Sequence, residues 1–178
     1  MNSLTIVLII IGTIAVLLII AGLLAPKEML VEQSVTINKP RQQVFEYIRH
    51  IKNQDYYSVW NMSDPNKRTT YKGADGQPGF IYTWDSDNKN TGAGAQEIKN
   101  IVAGESISCE LRFERPMKNV AQSTMTSQSV TPTQTKVSWK FEGPTKFPMS
   151  IMTPIFRNML GKDMQKGLDN LKVLLEKQ

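Results

Sequence analysis

The 178-residue chain is poor in reactive side chains, with one cysteine, Cys109, and one histidine, His50. A single cysteine excludes an intrachain disulfide and any multi-cysteine metal site. One His beside one Cys leaves only carboxylates as further metal ligands, and these show no ligand spacing. No G-x-S-x-G elbow is present, so Ser-His-acid chemistry has no support. The stretches "GADGQPG" and "GAGAQE" lack the strand-then-helix context and the lysine of a phosphate cradle. They read as turn and strand-entry sequences. No Lys/Arg run interleaves with aromatics, which argues against nucleic acid as partner despite a formal charge of +5. There is no repeat and no low-complexity segment. No metal, cofactor or catalytic residue is assigned, and oligomeric state leaves no trace in the sequence.

Charged side chains are missing altogether from residues 1–26. Within that stretch, Leu4 to Ala25 carries only Thr5 and Thr13 as polar side chains. At about 1.5 Å per residue such a helix reaches roughly 33 Å, enough for a hydrocarbon core of about 30 Å. The rival reading is a cleaved signal peptide, which needs a basic n-region, a shorter apolar run and small residues at the cleavage site. The leader "MNS" is uncharged, and Leu23 and Pro26 spoil the best small-residue site at Ala25. The expectation is a single-pass membrane anchor with linker over residues 1–28. Lys27, Lys39 and Arg41 follow the helix and nothing basic precedes it, which places the rest on the cytoplasmic side. All the formal charge then lies outside the membrane, where each basic residue adds about 1 kcal/mol of attraction to an anionic lipid surface.

Residues 29–178 read as one further domain. "MLVEQSVTINKP" alternates partially through Val31, Val35 and Ile37, as a strand does. Asn38 as N-cap and Pro40 in the first turn open "KPRQQVFEYIRHI", where Val44, Phe45, Ile48 and Ile51 recur at helical spacing. "KNQDYYSVWNMSDP" follows as a short helical turn or loop. From Lys67 to Glu142 the period falls to two, in six runs separated by "ADGQPG", "DSDNKNTG", "VAGES" and "VTPTQ". Apolar faces appear at Phe80, Tyr82 and Trp84, at Ile107, Cys109, Leu111 and Phe113, and at Val137, Trp139 and Phe141. Such one-sided alternation predicts antiparallel strands over a core. Thr153 and Pro154 then serve as N-cap and N1 of a helix running to the C-terminus.

The predicted class is α+β: a curved seven-stranded antiparallel sheet, one long C-terminal helix and the N-terminal transmembrane helix. Only the last helix is long and apolar enough to cover the concave side of the sheet. Its stripe contains Phe156, Leu160, Met164, Leu171, Leu174 and Leu175, with Gly167 at the centre. A mid-helix glycine costs roughly 1 kcal/mol relative to alanine, so it returns either close packing or free volume.

Several polar groups need weighing. His50 falls beside Glu46 near the end of the first helix, where a solvated or capping role suits the dipole better than a general base. Asp64 and Pro65, beside Trp60 and ahead of Lys67 and Arg68, form the most suggestive polar cluster, against a plain Asp-Pro turn. Glu110 and Arg112 alternate with apolar neighbours and point outward, while Glu97 and Lys99 fit either face. "NVAQSTMTSQSV" is polar on both faces. It either offers Gln122, Ser123 or Thr124 to a ligand or is an exposed edge strand.

The element order, with "VTINKPRQQVFEYIRHIKNQDYYSVW", the "DP" at Asp64 and Pro65, and "GKDMQKGLDNLKVLLE", resembles the polyketide cyclase/dehydrase-like branch of the START/Bet v 1 (SRPBCC) superfamily. The likeness spans residues 29 to 178, and its sharpest pieces are structural rather than catalytic. It implies a helix-grip fold with a cavity between sheet and C-terminal helix, holding a lipid or other hydrophobic small molecule. The candidates for its wall come from the chain's own aromatic and methionine inventory, Phe80, Tyr82, Trp84, Phe113, Met125, Trp139, Phe141, Phe156, Met159 and Met164, most of it ordinary core, together with Gly167. Methionine suits an adaptable apolar wall. Three functions remain open: ligand binding without catalysis, a cyclase or dehydratase-like enzyme, and an interaction module with a filled groove.

Overall fold

Alternating strands and one long amphipathic helix organise the molecule. The computed structural model describes residues 2–88 and 91–177, the side chain of residue 15 excepted. Helix α1 (Ser3–Leu24) precedes β1 (Glu28–Ile37), α2 (Arg41–Ile48), a 3-10 turn (Ile51–Tyr56) and the short α3 (Val59–Met62). Strands β2 (Arg68–Lys72), β3 (Ile81–Asp85), β4 (Ala93–Val102), β5 (Ser106–Arg115), β6 (Asn119–Thr131) and β7 (Gln134–Pro144) follow. A second 3-10 turn (Met149–Met152) leads into α4 (Thr153–Glu176). Lys89 and Asn90 of the expected turn "DSDNKNTG" lie outside the described residues.

The strands form one sheet in the order β1-β7-β6-β5-β4-β3-β2, every neighbouring pair antiparallel. β1 and β2 are therefore its edges. The polar strand β6 is central, which overturns the edge-strand alternative. Its inner face is Ala121, Ser123, Met125 and Ser127, all buried, so Gln122 and Thr124 face away from the core.

Helix α4 lies across the sheet and runs in the direction of β1. Gly161 sits against Gln33 and Val31 near its start, and Lys172 Nζ donates to the Thr36 carbonyl at 2.5 Å near its end. The chain thus forms a helix-grip fold. Met164, Leu168, Leu171 and Leu175 are each no more than 1% exposed. At about 1.5–3 kcal/mol per fully buried side chain, these four contribute roughly 6–12 kcal/mol before entropic costs. Val44, Phe45 and Ile48 of α2 close the end of the grip beyond β1, over Ile37, Ile107 and Val137.

Two expected caps differ. Asn38 does not cap α2; its side-chain oxygen accepts from Gln134 Nε2 at 2.8 Å, because the chain reversal after β1 brings β7 beside it. Thr153 is the first residue of α4 rather than its cap, since the preceding 3-10 turn already supplies the entry geometry, and its buried hydroxyl has no partner.

The apolar face of α1 points at no part of the domain. Its end does: the Phe147 ring stands against Gly22, where an added Cβ would lie 2.6 Å from Phe147 Cδ2. Only Ala25, Pro26 and Lys27 separate α1 from β1, and Thr145 pins them. Its amide donates to the Lys27 carbonyl at 2.8 Å and its hydroxyl to the Pro26 carbonyl at 2.6 Å.

Candidate functional site

Between the α1-proximal half of the sheet and the start of α4 the side chains do not meet. The space is a cavity of about 250 Å³, room for roughly eight waters. Strand register defines its depth. The outermost inward rung joins Trp84 of β3 to Gly94 of β4 and Phe113 of β5. The next joins Tyr82, Gln96 and Leu111, and a further one Cys109, Ser123 and Phe141. Beyond that Ile107 and Met125 are fully packed beside Trp139, and the cavity ends. Leu160 and Met164 of α4, Trp60 and Asn61 of α3, and Gln54 and Ser58 around the first 3-10 turn supply the other wall. Thr91, Arg115 and Pro116 line the mouth.

The aromatic wall is locked edge to face. Trp139 meets Trp60 with centroids 5.9 Å apart, and Trp84 meets Phe113 at 6.0 Å. Trp84 Nε1 donates to the Thr91 carbonyl at 3.1 Å, and Trp139 Nε1 to Ser123 Oγ at 2.8 Å. All three tryptophans of the chain line this one space. Gly94 makes the arrangement possible: a Cβ there would stand 2.7 Å from Trp84 Cζ2.

A polar cluster borders the same wall. Lys67 Nζ donates to Asp55 Oδ1 at 3.1 Å and to the Asn61 carbonyl at 2.7 Å. Asn61 Nδ2 and the Tyr82 hydroxyl also reach Asp55 Oδ1, at 3.0 and 3.5 Å. The Lys67 side chain is only 8% exposed, so its charge is answered by Asp55 rather than by water. Burial and the neighbouring Asp55 raise the Tyr82 phenol above its ordinary range, keeping it a neutral donor. Burial pushes the Cys109 thiol up to about 12. Among the described residues, neither a carboxylate nor the histidine lines the cavity. His50 instead lies outside it, 3.5 Å from Glu46 Oε1 and 3.6 Å from Asp75 Oδ2. No three His, Cys, Asp or Glu side chains among the described residues converge as metal ligands would.

Of the wall residues inferred from the sequence, Tyr82, Trp84, Phe113, Trp139, Phe141 and Met164 meet at the cavity. Four others do not line it. Phe80 is buried against Tyr71 in the core, and Met125 accepts a hydrogen bond from the Tyr57 hydroxyl at 3.5 Å. Phe156 is half-buried near the start of α4 but off the lining, as is the exposed Met159. Gly167 is a packing glycine, since a Cβ would stand 3.2 Å from Trp139 Cζ3 and 3.5 Å from the Tyr57 carbonyl oxygen. Its want of a side chain seats Trp139, which in turn shapes the cavity.

Asp64 makes a turn, accepting from Ser86 Oγ and, at 2.9 Å, from the Asn66 amide. These bonds hold its carboxyl below the usual range. Arg68 pairs outward with Asp85 and Asp87, so of that sequence cluster only Trp60 and Lys67 reach the cavity. Glu97, Lys99, Glu110 and Arg112 form an ion-pair group on the outer face, with Arg112 Nη1 2.7 Å from Glu97 Oε2. Sequence reasoning missed Gln54, Ser58, Gln96 and Leu160. Gln96 was detectable, because it shares the inward parity of Gly94 and Ile98 in β4. Gln54 and Ser58 sit in irregular structure and carry no such signal.

The family model described as polyketide cyclase / dehydrase and lipid transport matches residues 29–176, and the chain belongs to that family. A crystal structure of a protein from Mesorhizobium loti superposes with a TM-score of 0.60 at 14% identity, covering 84% of this chain and 98% of that one. One from Chromobacterium violaceum gives 0.58 at 14% identity, over 83% and 96%. Ara h 8.0201 gives 0.56 at 10% identity, over 85% and 99%. At such identities these likenesses speak for the fold. No curated protein matches the sequence.

Proposed function

We propose that this member of the polyketide cyclase / dehydrase and lipid transport family is a membrane-tethered domain that holds a hydrophobic small molecule or lipid in the cavity, without transforming it. The carrying observation is an unfilled, aromatic-lined space that opens on the same side of the domain as α1. Asn119, at the start of β6, donates to the Pro144 carbonyl at 3.3 Å, so the β5–β6 turn beside Arg115 and Pro116 neighbours the linker region. α1 is long and apolar enough to cross a bilayer. Three linker residues span at most about 10–14 Å, which keeps the mouth within reach of the lipid surface. Met117, Phe147, Ile155 and Met159 are exposed around that end, interspersed with exposed Lys118, Lys146, Arg157 and Lys162. Apolar tips among cations suit an anionic membrane interface.

Binding needs no catalytic group, because burial of apolar area at about 25 cal/mol per Å² supplies the affinity. A carboxylate or imidazole inside the cavity would favour the enzyme reading, and the described lining contains neither.

Native mass spectrometry of the full chain, purified from membranes in mild detergent, tests the proposal. We expect a fraction of molecules to carry one apolar adduct, and Leu111→Trp, which fills the space, to lose it. Absence of any adduct across lipid extracts added back in excess would refute the reading.

A further inference from the structure

The deep end of the cavity is polar without being charged. Gln54 is 6% exposed and Ser58 is 1% exposed; both line the cavity, and neither side chain has a hydrogen-bond partner within the protein among the described residues. The fully enclosed side-chain atoms without a partner among the described residues are Arg49 Nε and Thr153 Oγ1, so the unpaired Gln54 and Ser58 groups open onto the cavity and are available to a guest there. Ser123, 6% exposed, accepts from Trp139 Nε1, which leaves its own O–H free to donate. Ser123 lies two inward rungs below the Trp84 and Phe113 level, with aromatic side chains between it and the mouth, and Gln54 and Ser58 line the facing wall.

We infer that Gln54, Ser58 and Ser123 form a polar subsite for the uncharged head of an amphipathic ligand, a hydroxyl or carbonyl group, whose apolar body lies in the aromatic sleeve and points to the mouth. Gln54 offers both donor and acceptor, and Ser123 offers a donor, so a hydroxyl satisfies both together. A carboxylate head is disfavoured. No uncompensated cation stands at the deep end, since Lys67 is already paired with Asp55, and burying an unpaired charge is costlier than burying a hydroxyl. The inference rests on the hydrophobic-ligand reading above and adds the orientation and class of the guest.

The three cavity tryptophans make the test direct, because no other tryptophan contributes to the emission. The full chain is reconstituted in lipid nanodiscs and titrated with a six-carbon ω-bromo alcohol, the matching bromoalkane and the matching ω-bromo carboxylate at neutral pH. Probes are compared at equal mole fraction in the lipid. The alcohol is expected to quench at roughly fivefold to tenfold lower concentration than the alkane, the size of one or two hydrogen bonds. Gln54→Leu should erase that preference while leaving alkane quenching intact, and Ser123→Ala should weaken it. Equal quenching by alcohol and alkane in the native chain overturns the polar subsite but leaves the hydrophobic site standing. A preference for the carboxylate overturns the uncharged-head assignment in favour of Lys67. If no probe quenches, the ligand-binding reading itself falls.

Discussion

At Gly94 and Gly167 the same substitution meets different neighbours. An alanine methyl at Gly94 would stand 2.5 Å from the Arg112 carbonyl oxygen, a backbone atom held in the β4–β5 ladder, and would also press on Trp84. Neither can retreat without opening the sheet or the aromatic wall, so Gly94→Ala is expected to destabilise by about 1–3 kcal/mol. At Gly167 the nearest atom is an edge carbon of Trp139, a ring that borders free volume. A shift of a few tenths of an ångström into that volume relieves the contact, and alanine adds roughly 1 kcal/mol of helix propensity. Gly167→Ala should therefore leave stability within about 1 kcal/mol of the parent while altering tryptophan emission. Urea unfolding followed by circular dichroism, with emission spectra of the folded states, checks both outcomes. The glycine that the helical stripe singles out is the tolerant one. The intolerant one lies in a sequence, "GAGAQE", that reads only as strand entry, because the crowding around it comes from the neighbouring strands β3 and β5.

Among the elements, α4 depends on its far end as well as its apolar stripe. Glu176 Oε1 accepts from Lys172 Nζ at 2.9 Å and from the Asn38 amide at 2.7 Å, tying the last turn to the β1–α2 connection. Lys172 and the Asn38 amide hold the Glu176 carboxyl below its ordinary range. A depressed carboxylate contributes stability above its unfolded value of about 4.3, and that contribution is lost as pH falls through the folded value. Glu176→Gln is thus expected to cost about 0.5–1 kcal/mol at neutral pH, the range of a partly exposed pair. The difference from the parent should be smaller at a pH well below the unfolded value of about 4.3 than at neutral pH. Equal differences at both pH values, measured by urea midpoint, would assign the effect to packing instead. Strand β6 carries the complementary lesson about elements. Its polar residues on both faces are plain in the sequence, but its central place follows from pairing with β5 and β7, which local sequence does not encode.

For the whole molecule, the relation between α1 and the domain governs what the cavity can reach. If α1 spans the bilayer, the full chain should remain with membranes through high-salt and alkaline washes. Ile10→Arg, Ile14→Arg and Leu18→Arg together, around the middle of α1, add about 9 kcal/mol to insertion, enough to outweigh the roughly 5–9 kcal/mol that its Leu, Ile and Val side chains supply and to make the membrane-integrated fraction a minority. Glycosylation-tag or protease-protection assays in microsomes read that fraction. Retention of the variant in the washed pellet at parental level would show that α1 is not the anchor. The short linker and its Thr145 bonds mean that loss of insertion also frees the cavity mouth from the lipid surface, so adduct recovery should fall in parallel.

What the sequence determined by itself is the set of elements and their apolar faces, because period-two and helical recurrence are local properties of the chain. The strands, the long final helix, the apolar leader and the α+β class all follow from that recurrence, and most of the aromatic wall, Tyr82, Trp84, Phe113, Trp139 and Phe141, follows from strand parity. Tertiary structure alone decided which inward residues meet empty space and which meet each other. Phe80 and Met125 share the parity of the wall residues yet are filled core, because α2 and the 3-10 turn close over that end of the sheet. Lys67, Gln54 and Ser58 enter the site from irregular segments, whose side-chain directions are set by packing against α4 and β3 rather than by any periodicity.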